Sequence, residues 1–396
     1  MHNLTKIKIF KILLWITYPF ALLFLYPFAL LKKKNPTGLF FFFDRYAIGG
    51  AQRIHLDILN SIDDTFKQVF FTRKSINNKL KDEFFSISNT ESSDIHFWCD
   101  NLFFRLFTVH YFVFYINRHK KAHVFGANST FFYDMLPFLK RHLSTIELLH
   151  NFTFGKRGME FFGLANYKFL TNRIVYDSFT LSNIEKQYLE YNIEKKYTER
   201  ILFIEPGVDI QPLQEKDFSL PLKILYAGRG GPQKRIHLIN EIVKQCINEN
   251  IPVNFHFAGT MQDELSELTK QYSLIHGEIS DKKIMYKLYN NANIILLVSA
   301  YEGFPMFIKE AMACGCVPVV TALPGNKMHL TNEENALLIN AIENENEVIK
   351  LAVQKIKLLT NDTYLLKKIS GNAYDYASRR FTKTKFIKEY RILFLS

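Results

Sequence analysis

Glu302 and Glu310 are two carboxylates with seven residues between them. An ionised carboxylate only accepts hydrogen bonds, and its two oxygens can take both hydroxyls of a vicinal diol at once. What such a pair can do depends on the elements that carry it. Asn293 to Val298 is a short apolar run suited to a central parallel strand, and Pro305 suits the first turn of a helix. The pattern predicts a loop at Glu302 and a helix from about Pro305 that carries Glu310. At ~1.5 Å per helical residue the carboxylates then lie on the order of 10 Å apart. The bland alternative is two solvated acids near a helix start, where the macrodipole alone favours negative charge.

A second candidate begins at Lys223 to Ala227, a strand-like run followed by Gly228-Arg-Gly-Gly-Pro-Gln-Lys234-Arg235. Ile236, Ile239, Ile242 and Val243 then recur at helical spacing. Strand, glycine loop and helix in that order let the backbone approach an anion. Arg229 offers a planar fork and Lys234 a compact ammonium, a pair suited to a diphosphate, with Arg235 a candidate third contact. No Gly-Lys-Ser/Thr follows, so this is not a P-loop, and G-x-G-x-x-G is absent. Gly49 and Gly50 make a similar turn after the strand-like Leu39 to Asp44, and His150 follows the strand-like Ser144 to Leu149. All four candidates fall just after a strand, the end at which open α/β sheets bind ligands.

Glu302-Gly303-Phe304-Pro305-Met306-Phe-Ile-Lys-Glu310, followed by Ala-Met-Ala-Cys-Gly-Cys-Val-Pro-Val-Val, resembles the E-x7-E signature of retaining glycosyltransferases of family 4. The resemblance implies an α/β chain of the GT-B fold, two Rossmann-like doubly wound domains facing a central cleft. It also implies a nucleoside diphosphate sugar as donor substrate and neither metal nor further cofactor. On this reading Glu302 contacts the donor sugar, Glu310 accepts from the ribose hydroxyls, and Arg229 and Lys234 hold the diphosphate. Gly228 and Gly303 to Met306 line the same donor, Gly49 and Gly50 close over it from the first domain, and His150 faces the transferring sugar. Transfer would go to a saccharide or lipid-linked saccharide, as in surface polysaccharide or glycolipid synthesis. Other GT-B activities, epimerisation or phosphorolysis, stay open, as does a catalytically inactive membrane-bound interaction protein.

The elements that must position these residues alternate between strand and helix patterns along 396 residues, enough for two cores. We expect a hydrophobic anchor over 1–34, a first domain over 35–207, a linker over 208–221, a nucleotide-sugar domain over 222–375 and a closing helix over 376–396 that returns to the first domain. Strands are expected at Gln68 to Thr72, Ala122 to Gly126, Arg173 to Asp177, Ile201 to Glu205, Val253 to Ala258 and Val317 to Thr321, besides those already named. Four cysteines, Cys99, Cys246, Cys314 and Cys316, lack metal-ligand spacing and read as reduced.

Lysine and arginine exceed the acids by 12, but the charge is spread without a nucleic-acid motif. A basic protein at an anionic membrane is the simpler reading, with no nucleic-acid partner. Ile12 to Leu31 carries no charge and is followed by Lys32, Lys33 and Lys34. Twenty helical residues reach about 30 Å, the hydrocarbon thickness of a bilayer. Pro19 and Pro27 keep a monotopic segment open beside a spanning one. Nucleotide sugars being cytosolic, the expected location is the cytoplasmic face of the cell membrane.

Overall fold

The computed structural model describes residues 2–153 and 158–395. Thirteen strands are present among them. They are β1 (Leu39–Phe43), β2 (Lys67–Phe71), β3 (Thr90–Asp94), β4 (His123–Ala127), β5 (Ser144–Leu148), β6 (Asn172–Val175), β7 (Ile201–Phe203), β8 (Leu222–Arg229), β9 (Val253–Thr260), β10 (Ser273–Gly277), β11 (Ile294–Leu297), β12 (Val317–Thr321) and β13 (Leu337–Ile339). They form two wholly parallel sheets, ordered β3-β2-β1-β4-β5-β6-β7 and β10-β9-β8-β11-β12-β13. Each sheet grows outward from its first strand, then jumps to that strand's other side. The order therefore reverses between β1 and β4, and between β8 and β11, which opens a crevice at the carboxyl end of each pair.

The chain divides into two units. The first holds the residues up to Tyr176, Thr180–Glu205 and Phe386 onward, and the second Asp177–Phe179 and Pro206–Lys385. β3, β10 and β13 were not among the expected strands. β3 is polar (TESSD) and β10 largely exposed at a sheet edge, so neither shows the apolar run of a buried parallel strand. The expected boundary at 376 falls inside the helix Thr363–Arg380, and the chain breaks instead before the helix Lys383–Leu395. Within the first unit, Phe386, Tyr390 and Phe394 of that last helix join the core around Phe41 and Phe125. The amino-terminal helix His2–Leu31 also belongs to the first unit, and its Leu14, Ala21 and Ala29 are buried beside Val113 and Phe114.

The two cores differ in chemistry. β1 is Leu-Phe-Phe-Phe-Phe; by strand alternation Phe40 and Phe42 enter one cluster with Phe70 and Phe112, while Phe41 and Phe43 enter another with Phe71, Phe84 and Phe125. The second core is mainly aliphatic, built on Ile294 to Leu297 of β11, Val317, Val319 and Val320 of β12, and Ile236, Ile239, Ile242 and Val243 of the helix Ile236–Asn248.

Candidate active site

In the second unit the glycine loop leaves β8 and the Glu302 loop leaves β11, the two strands on either side of the order reversal. The loops are laced together. Ala300 N donates to the Gln233 carbonyl at 2.9 Å, and Gln233 Nε2 donates to the Tyr301 carbonyl at 2.9 Å. Gly231 sits at φ +110°, a conformation open to glycine, and its carbonyl accepts from Lys234 N at 2.9 Å. The turn delivers Lys234 Nζ directly onto Glu302 Oε1 as a close ion pair with both side chains largely buried. Arg229 ends β8 exposed to solvent. Beneath it, Tyr226 donates its hydroxyl to the Arg229 carbonyl at 2.7 Å. Burial, with Glu302 and Glu264 nearby, raises the Tyr226 phenol well above its usual range, so it stays a donor.

Pro305 is the N-cap of the helix Met306–Met312, one position before the expected first turn, and Met306 is the first helical residue. The close approach behind the loop is at Gly325, where a Cβ would come within 1.6 Å of the Gly303 carbonyl. Phe304 does not line the loop with its ring. It packs in the core 4.4 Å from His329 and 5.6 Å from Phe381, so only its backbone remains for a ligand. Glu310 is held by Tyr289, whose hydroxyl donates to Oε2 at 2.8 Å. The phenol's pKa is raised by burial and by the carboxylate itself, which keeps the donor protonated. Arg235 is not available to the loop: its side chain is buried and Nη1 donates to the Ile342 carbonyl at 2.6 Å. Its residue is the left-handed N-cap of the following helix, at φ 53°.

In the first unit, Gly49 is extended and is the N-cap of the helix Gly50–Asn60, with no side chain capping its amides. A Cβ built on Gly50 would meet open space. His150 follows β5 and is 3% exposed. Its Nε2 lies 2.7 Å from His55 Nε2 and its Nδ1 3.2 Å from the Tyr176 hydroxyl. Burial pushes the His150 imidazole down to about 3, and burial plus His150 pushes His55 well below its usual value. Both rings are neutral near pH 7, so one ring nitrogen donates in the His–His bond and the other accepts. His150 can meet a new hydroxyl only by exchanging one of these bonds.

The structure thus brings Gly228, Arg229, Lys234, Glu302 and Gly303 to one strand-end crevice, and sets Glu310 on the next helix. Gly49, Gly50 and His150 belong to the first unit, where His55, on the helix opened by the glycine turn, joins the last of them. Sequence reading missed His55, Tyr176, Gln233 and Tyr289. A signal existed for His55: it lies three and four residues before Ile58 and Leu59 and so shares the buried stripe of its helix. Nothing in the local pattern singles out Tyr289, which acts from another helix.

Residues 212–376 match the family described as glycosyl transferases group 1. A probable sucrose-phosphate synthase of Thermosipho melanesiensis is 26% identical over 54% of this chain and 53% of its own length. An N-acetylgalactosamine-N,N'-diacetylbacillosaminyl-diphospho-undecaprenol 4-alpha-N-acetylgalactosaminyltransferase of Campylobacter jejuni is 25% identical over 52% of this chain and 56% of its own length. The chain spans about half the length of these two relatives. Among solved structures, Anabaena Alr3699/HepE in complex with UDP superposes with a TM-score of 0.69 at 16% identity, over 90% of this chain and 98% of that one. The fold is that of GT-B glycosyltransferases: two parallel Rossmann-like sheets, with an apolar helix at the amino terminus.

Proposed function

We propose that the chain is a glycosyltransferase of the E-x7-E type, family 4, moving a hexose-like unit from a nucleoside diphosphate sugar to a hydroxyl of a saccharide or lipid-linked saccharide, with retention of configuration and without a metal. The observation that carries this reading is the crevice between β8 and β11, where the Lys234–Glu302 pair lies on two laced loops and β8 ends at the exposed Arg229. A diphosphate entering there competes with Glu302 for the Lys234 ammonium. Glu302 is then released toward the sugar, so its role follows from donor binding. Arg229 and Lys234 stabilise the charge that builds on the departing diphosphate, an effect worth several kcal/mol in a water-poor site. Glu310, held by Tyr289 on the helix Met306–Met312, is assigned to the ribose hydroxyls.

In the step itself, the bond from the anomeric carbon to the diphosphate oxygen breaks, and the acceptor oxygen bonds that carbon on the same face. The leaving diphosphate takes the acceptor's proton. No covalent glycosyl-enzyme is assigned, and His150, neutral and tethered to His55, is assigned to positioning a sugar hydroxyl. The reading places the enzyme at the cytoplasmic face of a membrane through its amino-terminal helix, in surface polysaccharide or glycolipid synthesis. Since the Anabaena structure holds UDP, uridine diphosphate sugars come first in a donor panel.

Thermal shifts against that panel, followed by transfer to a saccharide acceptor and NMR of the product anomer, test the proposal. A stabilising donor and a product with the donor's anomeric configuration are expected, in EDTA as in its absence. An inverted product, or activity abolished by EDTA and restored by magnesium, overturns the assignment. Glu310→Gln should raise the donor KM, and Glu302→Gln should chiefly lower kcat.

A further inference from the structure

The amino-terminal helix is long and apolar enough to cross a bilayer over Leu4–Leu31, but the structure binds it lengthwise to the first unit. Its buried positions, Ile7, Leu14, Ala21 and Ala29, follow one narrow stripe. Polar ties accompany the stripe from end to end. Lys11 Nζ donates to the Ala165 carbonyl at 2.9 Å, and Thr17 Oγ1 lies 3.1 Å from His110 Nε2. Arg118 Nη1 donates to the carbonyls of Ala29 at 2.5 Å and Lys32 at 2.8 Å, and Tyr115 donates to that of Lys33 at 2.8 Å. The partners of this stripe come chiefly from the helix Leu102–Ile116, itself part of the first unit's core.

The remaining faces of the helix are apolar and open. Ile12, Ile16, Phe20, Leu23, Phe24 and Leu31 are each more than half exposed. At the end of the neighbouring helix near Phe10, which Arg105 covers, Trp98 and Phe103 are also half exposed or more. A monomer rarely leaves so much contiguous apolar surface in water. What it fits is indicated by charge. The first acidic residue of the chain is Asp44; before it stand six lysines, of which Lys11 is turned to the protein and Lys32 lies 4.0 Å from Glu91, leaving Lys6, Lys8, Lys33 and Lys34 exposed. Residues 101–133, which include the backing helix, hold no acid, and their Arg105 is paired with Asp134 and their Arg118 with carbonyls of the amino-terminal segment. A second copy seated on this face would bring the same basic rim against itself, whereas anionic headgroups neutralise it.

We infer that the amino-terminal helix does not span a membrane but lies in its plane, one stripe fixed to the first unit and the opposite faces, extended by Trp98 and Phe103, sunk into an anionic lipid surface. A spanning orientation would need the ties of Lys11 and Thr17 and the buried contacts of Ile7, Leu14 and Ala21 to be broken. Lying flat needs none. The inference rests on the membrane part of the proposed function alone, and its test reads membrane geometry without turnover.

Two single-cysteine reporters, Thr5→Cys and Lys33→Cys, placed in the full-length chain bracket the helix, and the four native cysteines are buried. In sealed inverted vesicles, a membrane-impermeant maleimide should label both reporters from the outer, formerly cytosolic, face. Labelling of Lys33→Cys with Thr5→Cys protected until detergent is added means a span and overturns the inference. In flotation assays the purified chain should bind phosphatidylcholine vesicles containing phosphatidylglycerol at least tenfold better than phosphatidylcholine alone. Phe20→Ser with Phe24→Ser should remove that binding while the thermal shift with UDP stays as in the parent chain. With Trp15→Phe, brominated lipid should quench the remaining Trp98. Vesicle binding unaffected by the double substitution, or a lipid-independent dimer that it dissolves, overturns the proposal; loss of the UDP shift in the parent chain would instead count against the function and leave these readouts intact.

Discussion

The two units share a parallel, order-reversing sheet yet handle charge differently. The first buries it: Arg173 Nε pairs with Glu147 Oε2 at 2.8 Å with both side chains essentially inaccessible, Tyr133 donates to the same carboxylate, and two neutral histidines touch in the core. The second buries single cations, Lys216, Lys309 and Arg235, of which Lys216 and Arg235 rest on backbone carbonyls, and sets the Lys234–Glu302 pair and Arg229 at the strand ends above an aliphatic interior. Buried charge is bound to the tertiary structure around it and loses stability when one partner goes, whereas strand-end charge is free to exchange partners with a ligand. The buried pair of the first unit therefore bears on its folding, and the strand-end pair of the second on its binding.

The sharpest way to break this contrast is Arg173→Ala, which strands Glu147 in the core and should destabilise the first unit by about 3–5 kcal/mol. The two tryptophans, Trp15 and Trp98, both lie in that unit, so urea unfolding followed by fluorescence reports on it selectively. A loss below 1 kcal/mol would show that the buried pair is replaceable by water or by Tyr188. Acid gives the next largest effect. His150 has a folded pKa depressed to about 3, so above pH 6.5 it contributes no pH dependence. As pH falls from 6.5 toward 3 the unfolded chain takes up a proton that the folded chain refuses, and stability declines. At pH 5 this amounts to about 2 kcal/mol relative to pH 7. The same fluorescence assay on His150→Asn should show a shallower fall between the two pH values; an unchanged slope would mean that His150 is charged in the folded chain.

In the second unit the effects should appear in kinetics. Arg229→Ala and Lys234→Ala should each lower kcat/KM at least tenfold, about 1.4 kcal/mol of transition-state stabilisation, with the tryptophan-detected unfolding of the first unit unmoved. Parent-like transfer rates in both would remove the diphosphate assignment. Smaller still is Tyr289→Phe. Losing one hydrogen bond to Glu310 is worth about 0.5–1.5 kcal/mol, which should appear as a severalfold rise in donor KM with kcat held. A fall in kcat alone would place Glu310 in the chemical step instead of at the ribose.

Legibility from sequence followed the same division. Glu302, Glu310 and the Gly228 to Lys234 turn are contiguous with the strands that carry them, so type, spacing and period-based strand assignment were enough to place them. The ten apolar or mixed runs expected as strands lie in the two sheets, because parallel strands buried on both faces announce themselves as apolar runs. β3 and β10 did not, being edge strands with polar or exposed faces, and β13 is apolar and buried but only three residues long. The amino-terminal segment showed its length and its apolar character, but with apolar residues on every side nothing marked the stripe that would face the protein.

By itself, then, the sequence determined the α/β alternation, the glycine turns, the acid and base pairs at strand ends, and a long uncharged helix, since each of these is written within a few residues of chain. The tertiary structure alone decided that Lys234 meets Glu302, that Tyr289 holds Glu310, that Arg235 is spent on a distant carbonyl, that His150 is paired with His55, and that the helix Leu102–Ile116 backs the first one. These contacts join residues 21 to 107 positions apart. Such contacts depend on which strands become neighbours in the sheet, and strand order comes from the packing of the whole core, not from any local pattern.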